Sequence, residues 1–461
     1  MKKNFIYLLC TVALLAGCVK EGPQGTQGPA GPSGLAGING TNGINGTNGT
    51  SGKDGKDGTD GTNGTNGTNG LNGKDGINGT NGVASCSECH KGDKILAKQT
   101  QYNTSVHALG EDGSGNYAYS KNQTFCAGCH TNEGFNQRIM TGENFIADSL
   151  NHAAPYSVVS VISCYTCHNI HTKYDSTDLA LKGTGPITVM ADSTATISQL
   201  GTNPDASNVC INCHQSRPFY MKGYLTKAVV DVTNPAVSKL KNAANTDSVD
   251  LYSAINTHDG PQGNLWAGVG KSGAYELAGS VSYSNHYHNS LSSCIQCHMQ
   301  GLPTQNNAGG HSFSTMYYKN TTDQAAGIKS LNQNACKQCH AVSDFVAGTG
   351  TAVMPKMVAE QATVKSLMLQ LQTLLVNKNY ISPADTVKGA IGSLKAYNPT
   401  TKKYTSLSYT TTPKVKIRVP AVVAKVFYNL QFIYHDNSLG IHNPNYAKAI
   451  LQNSIDVAKT W

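Results

Sequence analysis

One short pattern constrains this chain more than any other: C-x-x-C-H, which occurs six times. The cysteine pairs are Cys86/Cys89, Cys126/Cys129, Cys164/Cys167, Cys210/Cys213, Cys294/Cys297 and Cys336/Cys339. Each pair is followed at once by a histidine: His90, His130, His168, His214, His298 and His340. Histidine is only 15 of 461 residues, so a histidine behind every pair is not a chance arrangement. Two thiols separated by two residues reach one edge of a porphyrin as thioethers, and the adjacent histidine then lies over the iron. A zinc knuckle or a redox disulfide explains one such motif but not six. The expectation is six covalently bound haem c groups.

The second axial ligand decides what such irons can do. A haem held by two protein ligands has no open position, whereas a haem held by one can bind and transform a substrate. Nine histidines lie outside the motifs. His171, in "SCYTCHNIHTKYD", follows His168 by three residues, and on a helix the two would share a face. Axial ligands approach an iron from opposite sides, so His171 is expected to ligate a haem neighbouring that of His168. His107 in "TSVHALG", His258 in "NTHDGPQGN", His311 in "GGHSFS" and His442, just before a helix start, are further candidates. In "SNHYHN", strand alternation would aim His286 and His288 at one face, with one of them ligating. His152 and His435 are balanced between ligand and surface positions.

The N-terminus reads as an export and anchoring device. "MKKNFIYLLCTVALLAGC" has two lysines, an apolar run and a small-residue site, the pattern of a secretory leader over residues 1–17. Its ending, "LAGC", resembles a bacterial lipobox, which would make Cys18 the lipidated first residue of a mature terminus at 18–21. Residues 22–82 then carry glycine at every third position without a miss. Only glycine fits the axis of a collagen triple helix. With few prolines, two readings stay open: a trimeric triple helix about 190 Å long, or a flexible tether of about 45 Å mean span. Either is a spacer between a membrane and its cargo.

The net charge of +8 does not indicate nucleic-acid binding. Lys2 and Lys3 leave with the leader, and two propionates against one ferric core charge at each haem bring the loaded protein close to neutral. Residues 83–345 hold all six motifs in Gly-, Asn-, Ser- and Thr-rich sequence, and the long gap at 215–293 has room for an inserted subregion. Residues 346–461 read as helical. Met357, Val364, Met368, Leu371 and Leu375 mark one face of a first helix. Residues 381–418 suggest a short hairpin within "KKYTSLSYTTTPKVKIRV". A second helix begins with Pro420 in its first turn, and a third is capped by Asn443 with Pro444 after it.

The six motifs place the chain among multihaem c-type cytochromes. The segment "HDNSLGIHNPNYAKAILQNS" resembles the end of cytochromes related to pentahaem nitrite reductase and octahaem hydroxylamine oxidoreductase. "HDGPQGNLWAG", "CHM" and "GGHSF" are similar to their middle segments. The resemblance spans 83–461. It implies a mainly α fold with extensive loops organised around the haems, a C-terminal helical region packing on the haem region, and a ligand role for His442. The chain departs from the family in two ways. No motif ends in the lysine that marks the nitrite-reducing haem, and no crosslinking tyrosine is identifiable among 22 tyrosines. The expected function is therefore electron transfer at the outer membrane or cell surface, through six bis-histidine haems, to other redox proteins or extracellular acceptors. The alternative is a reductase of a small nitrogen or sulfur oxyanion with one open iron. Membrane attachment through lipid and a homotrimer through the stalk complete the expectation.

Overall fold

Apolar patterning puts the main core near the C-terminus. In the computed structural model, helix α1 spans Pro355–Asn377 and buries Val364, Met368, Leu371 and Leu375, the face that the spacing predicts, with Met357 half-buried in its first turn. Helix α2, Ala421–His435, is apolar almost all round and is buried on nearly every side, which marks it as a core helix rather than a surface one. Helix α3, Pro444–Ala458, begins as its sequence predicts, with Asn443 accepting the Tyr446 N–H and Pro444 in the first turn. It packs against α1 and α2, and Phe427, Leu430 and Phe432 of α2 join Tyr446, Ile450 and Leu451 of α3 in one core cluster.

The structure describes residues 93–109, 124–141, 159–190, 192–198, 204–216, 229–231 and 244–251, and most of 255–461. The leader, Cys18, the stalk, the first motif (Cys86, Cys89, His90) and His152 lie outside these, as does the side chain of Cys126. Among the described residues no helix is long and apolar enough to cross a membrane.

Two expectations about this region are corrected. Pro420 does not lie within the first turn of α2. It is the N-cap and the last residue of an extended strand. The expected hairpin within residues 402–419 does not form either. Lys403–Ser406 pairs back onto Lys395–Asn398, where the Asn398 side chain accepts the Thr400 and Thr401 N–H groups to make the turn. The later half instead completes a three-stranded sheet. Strand β1, Val229–Asp231, pairs with β2, Ser248–Leu251, which pairs with β3, Ile417–Pro420, all antiparallel. Charge fixes this choice. Asp250 of β2 is buried and takes Lys416 at 2.5 Å and the Arg418 Nε at 2.8 Å. Burial works to raise its pKa, but the hydrogen bonds and charges of Arg418 and Lys416 hold it below the usual carboxylate range. The long gap between the fourth and fifth motifs is thus stitched to the C-terminal sequence.

Buried asparagines fasten the loop at 273–289 to the helices. Asn429 accepts the Tyr275 N–H at 2.8 Å and donates to the Tyr275 carbonyl at 2.8 Å and to Ser454 at 3.0 Å. Asn453 holds Val281 by the same two-way bond. Each amide replaces a strand partner that the loop lacks, so its backbone groups are buried without penalty. A smaller cluster, Ile187, Val189, Ile197, Ile211, Trp266 and Ala267, lies under the fourth motif.

Candidate haem centres

Local backbone bonding shapes each of the five described motifs. The histidine N–H returns to the carbonyl of the first cysteine in His168 (2.9 Å), His214 (2.9 Å) and His340 (3.0 Å). One turn thereby presents both thiols and the imidazole together. The second and fifth motifs do the same on the short helices Thr124–His130 and Cys294–His298.

Five motif histidines face a histidine from elsewhere in the chain. His130 and His258 have ring centres 5.8 Å apart, and His168 and His311 are at 6.3 Å. His214 and His107 are separated by 5.9 Å, His298 and His442 by 6.2 Å, and His340 and His288 by 5.9 Å. An imidazole nitrogen about 2 Å from a metal puts its ring centre ~3 Å away, so two imidazoles on opposite sides of one iron have centres about 6 Å apart. Ring pairs elsewhere run from 4.1 Å, for His286 and Tyr287, to 5.9 Å, for the edge-to-face pair Tyr380 and Trp461. The five spacings match the separation of two imidazoles that share one iron, and the edge-to-face pairs fall in the range of direct ring contact as well.

The imidazoles are also oriented. His168 Nδ1 is 2.6 Å from the Leu179 carbonyl and His298 Nδ1 is 2.9 Å from that of Phe313. His214 Nδ1 is 3.2 Å from the Gln262 side-chain oxygen, and His442 Nδ1 is 2.5 Å from Asp436. Anchoring Nδ1 leaves Nε2 as the ligating nitrogen. Burial pushes His107, His288, His298 and His311 down to about 4. They are therefore neutral at pH 7, the form that binds a metal. At His442 burial acts downward too, but the charge and hydrogen bond of Asp436 outweigh it and raise the pKa.

The alternatives to haem fit poorly. Cys164, Cys167, Cys210, Cys213, Cys294, Cys297, Cys336 and Cys339 are in no disulfide. Among the described residues no three His, Cys, Asp or Glu side chains converge on a point that would hold a metal ion, as a structural zinc site requires.

The motifs lie against one another. The sulfur of Cys210 in the fourth motif lies close to Cys294 of the fifth, and that of Cys213 lies close to Cys129 of the second. The Cys297 thiol is close enough to feel Cys336 of the sixth. Two loop segments join the sites further. Phe313 offers its carbonyl to His298 while its ring lies 5.1 Å from His107 and 6.0 Å from His311. In "HDGPQGNLWAG", His258 faces His130, Gln262 holds His214, and the Trp266 ring is 6.4 Å from His442. Gly263 is required here, because a Cβ would stand 2.6 Å from the His214 carbonyl.

Two candidates sit otherwise than their sequence suggests. His171 shares no helix with His168. The turn Cys164–Cys167 ends because His168 is extended and bridges Leu181. His171 itself has φ 58°, its Nδ1 lies 2.9 Å from the Tyr165 hydroxyl, and its ring stacks on Tyr174. His286 and His288 do not alternate on a strand. His288 opens a helical turn, His288–Leu291, and faces His340, while His286 receives the His288 N–H at Nδ1. His435 is bound through Nε2 to Gln431 at 3.0 Å. Sequence reasoning missed Asp436, Gln262 and Phe313. Their one signal was that each lies within a few residues of a candidate histidine.

A model of the collagen triple helix repeat matches residues 20–84, and a model of cytochrome c552 matches residues 111–460. No curated protein and no solved structure matches the chain.

Proposed function

The chain belongs to the cytochrome c552 family and is a multihaem c-type cytochrome carrying covalently bound haem c; from that premise we propose that it holds six bis-histidine haems and passes electrons between partners at the cell surface. The observation that carries this reading is the set of five histidine pairs with ring centres 5.8–6.3 Å apart. Haem c, when bound, supplies one-electron exchange at its iron. The protein's own part would be to hold each group through the two cysteines of a motif and a pair of histidines such as His298 and His442. It also keeps substrate ligands off the iron and packs the motifs within contact of one another.

His171 is proposed as a ligand of a haem other than that of His168. The other described histidines are either paired or, like His435, tied elsewhere. A left-handed backbone at a non-glycine residue costs roughly 1 kcal/mol, and such strain concentrates at functional positions. His171 and His258 both carry it. The lipid on Cys18 and the Gly-x-y spacer would hold this unit away from an outer membrane, as a trimer where the repeat winds into a triple helix. Redox proteins or extracellular acceptors would then be the partners. Adding nitrite or cyanide to the ferric protein tests the reading. An unchanged absorption spectrum supports the conduit, and a band shift supports a reductase with an open iron.

A further inference from the structure

The axial histidines differ in what holds their Nδ1 atoms. His168 and His298 face backbone carbonyls and His214 faces an amide. His340 faces Asp344 at 3.4 Å, where the carboxylate is 29% exposed. His442 stands apart. Its Nδ1 is 2.5 Å from Asp436, whose side chain is fully shielded from solvent. The other Asp436 oxygen is held by the Ser438 hydroxyl and, at 3.2 Å, by the Ser438 N–H. His311 is the opposite case, with a buried Nδ1 that has no hydrogen-bond partner.

We propose that Asp436 is a positioning residue that sets the reduction potential of the haem held by His298 and His442, placing it below those held by His168/His311 and His214/His107. This rests on the axial pairing proposed above. A buried negative charge hydrogen-bonded to an imidazole N–H strengthens that imidazole as a donor and favours the more positive ferric iron. Low surrounding polarity keeps the effect unscreened. A carbonyl or amide acceptor supplies the hydrogen bond without the charge. Gln262 connects two of these sites. Its oxygen takes His214, and its Nε2 reaches the carbonyls of His435 and Asp436 at 3.4 and 3.3 Å. The low-potential site therefore sits beside a neighbour whose own ligand is held by a neutral group, which builds a step in driving force between adjacent haems.

The test is an EPR-monitored redox titration of the full-length holoprotein and two variants. Asp436→Asn keeps the shape and removes the charge. One low-spin component should become easier to reduce by about tenfold in its ferrous-to-ferric ratio at fixed potential, about 59 mV for a one-electron couple. Ser438→Ala removes a bond that competes for the carboxylate, so the same component should move the opposite way. Opposite shifts of one component are not what structural damage produces. If Asp436→Asn fails to load haem, the Ser438→Ala shift alone decides. Unchanged midpoints in a low-spin protein would overturn this inference alone. A high-spin His298 haem in the unaltered protein would overturn the axial pairing, and this inference with it.

Discussion

At the scale of single residues, most of the burden falls on polar side chains that the core cannot do without. Asp250 is the clearest acid-sensitive group. Its folded pKa is depressed, so its contribution is fully present above the unfolded aspartate value, near 3.9, and is lost as pH falls through the lower folded value. Asp250→Asn should flatten the acid limb of a stability-versus-pH curve measured by chemical denaturation. Removing one partner of a buried pair costs up to 3–5 kcal/mol. With Lys416 and Arg418 partly in water, Asp250→Ala should cost about 2–3 kcal/mol. Asn429→Ala removes the side-chain acceptor of the Tyr275 N–H and one of two donors to the Tyr275 carbonyl, which keeps the Leu277 N–H, and should cost about 2 kcal/mol in the same assay. Neither residue stands out in the sequence, because nothing local shows that a lone Asn or Asp will meet a backbone or a cation more than 150 positions away.

At the scale of elements, legibility followed the range of the interaction. The helices α1 and α3 could be read because spacing and caps are local. The C-x-x-C-H turns could be read because their chemistry fixes the spacing. The facing histidines could not be paired, since His107 and His214 meet only through the fold. The supposed helix linking His168 to His171 failed because a bridge to Leu181 and a hydrogen bond to Leu179 compete for the same residues. "GGHSF" and "HDGPQGNLWAG" were recognisable as segments, but their joining of several sites was not, because it depends on a carbonyl and a glutamine. Replacing one partner at a time tests the assignments. His258→Ala, His311→Ala and His107→Ala should each convert a single haem from low to high spin in the ferric absorption spectrum and leave the rest unchanged. His171→Ala should do the same for one haem other than that of His168. Ring orientation gives a further prediction. Two pairs are near parallel, at 27° and 30°, and three are near perpendicular, at 74–81°. Parallel axial rings split the iron's two π-type orbitals and perpendicular rings leave them close in energy. The ferric EPR spectrum should therefore contain two rhombic low-spin signals and three of strongly axial type from these sites.

At the scale of the whole molecule, a collagen-like repeat precedes a multihaem cytochrome. Sedimentation of the intact protein and of one lacking residues 22–82 should give a trimer and a monomer, respectively, if the repeat winds into a triple helix. A monomer in both would leave the repeat a flexible tether. Cys18→Ser should release the protein from membranes in a fractionation assay.

The central claim is that both axial positions are filled by histidine at every iron. Spin quantitation of the ferric holoprotein by low-temperature EPR tests it most directly. The account predicts six low-spin ferric haems per chain and no high-spin signal near g = 6. One stoichiometric high-spin haem in the unaltered protein would contradict it.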